Sequence, residues 1–147
     1  MKKFIFPLLL LFTILFTGCS KNTSIDTPAL SITYKNESVS VLKGGFEWNR
    51  RIGIFKMESV IADAPAPTEL AKKISAYKLP PNVQLDLKFT KKPQSIEVVS
   101  WGELKDNDYS FTENSITVPN EPGTYIFEIR AYWKQGRVSY TTKVIVK

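Results

Sequence analysis

The chemistry open to this chain is narrow. Its 147 residues include a single cysteine, Cys19, and no histidine. Without histidine the chain lacks the commonest general base and metal ligand, and one cysteine can build neither an intramolecular disulfide nor a thiolate zinc site. The acids Glu97, Glu103 and Glu113 are scattered without the spacing of a catalytic pair, and no serine sits with a lysine in a recognisable motif. These patterns point away from an enzyme and suggest neither metal nor organic cofactor. Asp106-Asn107-Asp108 is half of a calcium loop, but the glycine and the late bidentate glutamate are missing, so it reads as a turn.

The best polar set is Glu47, Arg50, Arg51 and Asp63, with Trp48 among them. If the segments around Glu47 and Asp63 lie side by side on one edge, the planar arginine forks suit a carboxylate or phosphate, as in an anionic or peptide ligand. Trp48, flanked by charged and polar groups, could then offer an open ring. The same residues also read as structure: an ion pair, Asp63 bonded to backbone amides before the prolines, and Trp48 packed inside. Both readings stay open at this point.

The elements that must position these residues are strands. From Leu30 onward apolar residues alternate with polar ones and turn residues interrupt them, as in Leu30, Ile32 and Tyr34, in Val39 and Val41, and in Ile52 and Ile54. The prolines of Ala62-Asp63-Ala64-Pro65-Ala66-Pro67 predict an extended connector. A short helix follows from Thr68, as N-cap, to Ile74, and is stopped before Leu79-Pro80-Pro81. Val83, Leu85, Leu87 and Phe89 form the cleanest half-buried strand, followed by strands over 95–101, 114–118, 124–134 and 137–146. A tight turn at Lys134-Gln135-Gly136-Arg137 joins the last two. Short strands at this spacing predict a sandwich, with Trp101, Tyr125 and Phe127 in its core.

Ahead of the domain, Lys2 and Lys3 precede an uncharged run of 14 residues, Phe4 to Thr17, and then Gly18-Cys19. A helix of that length covers about 21 Å, short of the ~30 Å hydrocarbon core, so the pattern is an export signal and not a span. The ending Leu15-Phe16-Thr17-Gly18-Cys19 resembles a bacterial lipobox, although Phe16 stands where leucine is usual. The resemblance implies cleavage after residue 18, covalent diacylglycerol on Cys19 and a chain held at the outer, extracytoplasmic face of the cell membrane. A lone thiol consumed by lipid fits an oxidising compartment, and two acyl chains suffice for stable anchoring. Loss of Lys2 and Lys3 lowers the formal charge from +6 to +4. No basic run exceeds two residues, and with export this sets nucleic acid aside as a partner. The expected organisation is a signal peptide over 1–18, a polar tether over 19–29 and a single domain over 30–147.

Glu121-Pro122-Gly123-Thr124-Tyr125-Ile126-Phe127 resembles the approach to strand F in immunoglobulin-like domains of bacterial surface proteins. That likeness implies a tyrosine corner at Tyr125. Phe127 then takes the place of the second cysteine, Leu85 or Leu87 that of the first, and Trp101 that of the strand C tryptophan. It covers residues 83–147 and implies a mainly β, immunoglobulin-like antiparallel sandwich with an N-terminal strand extension and one short helix. From Val39 onward, Gly44-Gly45-Phe46-Glu47-Trp48, Ala62-Asp63-Ala64-Pro65 and the Pro-Gly-Thr-Tyr strand resemble a group of small extracytoplasmic modules of low-GC Gram-positive bacteria. Members often carry a cysteine pair where this chain has Glu47 and Ile61, and the likeness implies no activity. The expected function is a membrane-anchored, non-enzymatic binding or sensing module, with Glu47, Trp48, Arg50, Arg51 and Asp63 as the binding patch. Two alternatives stand beside it: an accessory subunit docking on a membrane-protein partner, and cell-wall polysaccharide binding through Trp48.

Overall fold

A computed structural model describes residues 25–102 and 108–147. Cys19, Glu103, Asp106 and Asn107 lie outside the described residues. The strands are β1 (Leu30–Tyr34), β2 (Glu37–Val39), β3 (Val41–Ile52), β4 (Lys56–Ala62), β5 (Tyr77–Leu79), β6 (Gln84–Phe89), β7 (Ser95–Trp101), β8 (Ser110–Thr112), β9 (Ser115–Thr117), β10 (Gly123–Trp133) and β11 (Gly136–Val146), with α1 (Pro67–Ala71) between β4 and β5. They form two packed sheets, ordered β2-β1-β6-β9-β8 and β4-β3-β11-β10-β7, and β5 lies parallel to the far half of β11. Among the described residues no helix is long and apolar enough to cross a membrane.

Period-two alternation gives each sheet one apolar face, and the two faces meet. Ile32, Leu85 and Ile116 come from one sheet, and Phe127, Ile129, Ala131, Val138, Tyr140 and Val144 from the other. β1, β6, β9 and β8 against β7, β10 and β11 reproduce the A-B-E-D and C-F-G order of the immunoglobulin sandwich. The tyrosine corner is present: Tyr125 Oη donates to the Glu121 carbonyl at 2.7 Å, two residues before the fully buried Phe127. The N-terminal extension adds the β3–β4 hairpin to the edge of β11.

Local chemistry sets the connections. Lys35 and Asn36 both have positive φ, which makes the two-residue turn between β1 and β2 follow the strand twist. Lys134 and Gln135 turn between β10 and β11, and Gly136 has φ +152° where a side chain would lie 1.9 Å from the Glu47 carbonyl oxygen. Only glycine allows β3 to approach there.

Four expectations are corrected. Trp101 is not in the core: it shares its face with Glu128, and Val98 points inward in its stead, because the strand register sets Val98 opposite Ile129. The helix starts at Pro67 with Ala66 as its uncapped N-terminal boundary, since proline needs no N–H at that position, and it ends at Ala71. Ile52 and Ile54 do not extend one strand, because Gly53 at φ +68° turns the chain back into β4. The packed chain also begins earlier than the polar composition of Ser20 to Ala29 implies. Thr27 is buried and accepts from Lys43 Nζ at 2.8 Å, and the Pro28 carbonyl accepts from Tyr140 Oη at 2.6 Å.

Candidate functional site

The same alternation that fills the core projects Glu128, Arg130 and Tyr132 from the opposite face of β10. Register then aligns residues from four strands. Arg130 faces Glu97 on β7 and Ser139 on β11, while Tyr132 faces Arg137, which faces Glu47 on β3. The outer face of the β4-β3-β11-β10-β7 sheet therefore carries a row of charge, and its members are bonded to one another. Glu128 Oε2 accepts from Trp101 Nε1 at 3.0 Å and from Arg130 Nη2 at 2.9 Å. Glu97 Oε2 lies 3.5 Å from Arg130 Nη1 and accepts from Tyr132 Oη at 3.2 Å.

Glu128 is only 7% exposed, and the two donors supply the hydrogen bonds that water cannot reach it to make. The Glu128 hydrogen bond, in turn, holds the Arg130 guanidinium above its ordinary value. Burial, and then the Glu97 carboxylate, raises the Tyr132 phenol. Trp101, expected in the core, instead clamps a buried carboxylate.

Beside this network lies an open groove of about 470 Å³. Its floor is Gly45, Glu128, Arg130, Arg137 and Ser139, and its wall is the strand-free segment from Asp63 to Ala66 with Leu70 of α1. Two glycines permit this shape. Gly44 and Gly45 sit where the β3 register slips against Ser139, a bulge in which a side chain on Gly45 would come within 3.0 Å of the Ala62 carbonyl oxygen. Ser139 Oγ donates to the Gly45 carbonyl at 3.3 Å. Glu47 and Arg137, opposed on the neighbouring strands β3 and β11, approach to 3.7 Å with both side chains well exposed. Asp63 is exposed and, among the described residues, makes no hydrogen bond or ion pair; the anticipated bonds to backbone amides do not form.

The five patch residues proposed from sequence thus separate. Glu47 and Asp63 both line the groove. Trp48, one residue along β3, points to the other face and is buried at 7% exposure, edge-on to Trp133 at 5.6 Å between ring centroids. A one-residue step on a strand reverses the face, so Glu47 and Trp48 cannot share a site. Trp48 is a core residue and not an open stacking ring. Arg50 pairs with Glu58 at 2.6 Å on the β3–β4 hairpin, and with the exposed Arg51 it borders a separate hollow. Sequence reasoning missed Glu128, Arg130 and Arg137. A signal existed, because each is the outward member of an alternation whose inward members were identified.

Glu47 and Ile61, where the resemblance places a cysteine pair, are direct cross-strand partners. In this chain an ion-pairing acid and an exposed isoleucine occupy the two positions. Among the described residues, no group of three or more Cys, Asp or Glu converges to hold a metal ion. The groove offers paired charges and two sparsely engaged ends, Asp63 and Arg137, a chemistry of recognition by complementary charge. No family model, curated protein or solved structure matches this chain.

Proposed function

We infer that the chain is a lipid-anchored, non-enzymatic binding module on the extracytoplasmic face of the cell membrane, and that its groove takes a peptide segment of a partner protein. The observation that carries this reading is the groove itself. Its volume of about 470 Å³ falls in the range of ligand sites, and opposite charges stand in it on a rigid sheet. Glu128 and Arg130 satisfy each other and act as scaffold. Arg137 and Asp63 have capacity left for a ligand carboxylate and a ligand amine respectively. A peptide with both charges matches them better than a purely anionic ligand does, since Glu47 and Asp63 stand beside Arg137. The polysaccharide alternative leaned on Trp48 as an exposed ring and loses its support with that ring in the core.

The test is photo-crosslinking of the lipidated protein in its own membranes, beside an Asp63→Ala, Arg137→Ala double variant. Both residues are exposed, so the variant keeps the fold. One partner crosslinked through a defined peptide, with synthetic peptide binding at least tenfold weaker in the variant, is the expected result. Undiminished crosslinking and peptide binding in the variant would exclude the groove as the site.

A further inference from the structure

The β3–β4 hairpin ends in an apolar cluster that the groove does not use. Ile54 is 78% and Phe55 98% exposed, with Ile52 and Met57 exposed beside them. Isolated exposed apolar residues are ordinary, but four within six consecutive positions at one protruding tip are not. The hairpin has no fold reason for them. Trp48 is the last β3 side chain in the core, and four residues of strand rise carry Ile52 about 13 Å beyond it, with Ile54 and Phe55 in the turn past that point.

Three further observations say what covers this tip. The first is charge. Arg51 and Lys56 flank the cluster and make no ion pair among the described residues, and the nearby acid Glu58 is committed to Arg50. Lys91 and Lys134 stand at the same end of the sandwich, next to the hollow that Arg50, Arg51 and Met57 border. The second is where the chain enters the domain. Asp26, Thr27 and Pro28 line that hollow with the base of the hairpin. The third is length. Five residues separate Cys19 from Ile25, and the six Cα–Cα steps between them reach at most about 22 Å. The anchor therefore keeps Ile25 within about 22 Å of the lipidated Cys19, at the end of the domain from which the hairpin protrudes.

We propose that the Ile52–Met57 tip is a second membrane contact, in which Ile54 and Phe55 enter the interfacial layer of an anionic bilayer while Arg51 and Lys56 meet its phosphates. The chemistry is that of interfacial anchoring, where buried apolar area and attraction to anionic lipid act together. A lipid chain alone leaves a domain free to rotate on its tether. Two contacts at one end fix its orientation and present the groove of the outer sheet face at a set angle to the membrane. The inference rests on the reading of Cys19 as the lipid anchor.

The experiment uses the full chain, processed in a lipoprotein-competent host and reconstituted into vesicles of phosphatidylcholine with phosphatidylglycerol. Phe55→Cys carries a polarity-sensitive fluorophore, and Lys147→Cys carries it at the opposite end of β11. Brominated lipids should quench the label at position 55 several-fold more than the label at position 147. Adding Arg51→Gln and Lys56→Gln should reduce the contrast. Equal quenching at the two positions overturns the tip contact. So does vesicle-independent energy transfer between labels at position 55, which would put a second copy on the tip. Intact mass separates the two readings. A mature chain lacking diacylglycerol defeats the anchor, and the tip is then decided by the same quenching contrast at saturating vesicle concentration, its presence supporting the contact and its absence overturning it.

Discussion

Two hairpins in one sheet, β10–β11 and β3–β4, show how differently a period-two pattern can end. β10 and β11 pair without interruption from Gly123 against Val146 to Trp133 against Gly136, and their inward side chains are buried along the whole length. Their turn, Lys134-Gln135, is polar, so the apolar pattern stops where the opposite sheet stops. β3 and β4 continue past that limit: below Trp48 the ladder runs from Asn49 to Ile52 with no sheet facing it, and the turn is apolar. In the first hairpin hydrophobic residues record the extent of the core, and in the second they record something outside it.

The contrast can be broken most sharply by deleting one phenyl ring from each hairpin. Phe127→Ala empties a fully buried site between the sheets and should cost about 3–5 kcal/mol in chemical denaturation. Phe55→Ala should stay within about 0.5 kcal/mol of the parent, as surface changes do. A large loss from Phe55→Ala would mean that the tip packs on the domain after all.

A cross-link sharpens the comparison from the weaker side. Glu47→Cys with Ile61→Cys joins directly opposed residues, whose Cα separation in an antiparallel pair suits a disulfide. Closing a loop of this length should add about 2–3 kcal/mol under oxidising conditions and nothing under reducing ones. Failure of the pair to oxidise would show that β3 and β4 are not in this register.

The smallest effect concerns the residue that ties the stronger hairpin to the segment leading into β1. Tyr140 Oη donates to the Pro28 carbonyl, and burial pushes its phenol well above the ordinary value. The folded state therefore holds this proton more tightly than the unfolded state. The stability it contributes is complete below about pH 10 and is lost as pH rises beyond that, by at most ~1.4 kcal/mol per pH unit. Tyr140→Phe should cost about 1–2 kcal/mol at neutral pH, where the Pro28 carbonyl loses its donor, and should flatten the alkaline decline. An alkaline decline as steep as the parent's would assign it to Tyr125 and Tyr132 instead.

Much of the fold was legible because strands of a sandwich write their burial directly into alternation. Tyr125, Phe127, Ile129, Ala131 and Trp133 could be named as one face before any coordinate, and so could the corner at Tyr125. The site was less legible. Glu47 and Asp63 were found, but Trp48 was grouped with them by adjacency in sequence, and adjacency on a strand means opposite faces. Arg137 and Glu128 belong to strands far along the chain, and only the pairing of β11 with β3 and β10 brings them to Glu47 and Asp63.

The sequence by itself determined the class of fold, the pattern of strands and turns in the second half, and the narrowness of the available chemistry, because these follow from residue type and local period. The tertiary structure decided which outward residues share a face, that Trp48 lies inside and Trp101 outside, and that the apolar turn of β3–β4 finds nothing to pack on. The physical reason is that alternation fixes two faces for each strand but not its neighbours. Register and the limits of the opposing sheet assign those, and both are properties of the assembled molecule.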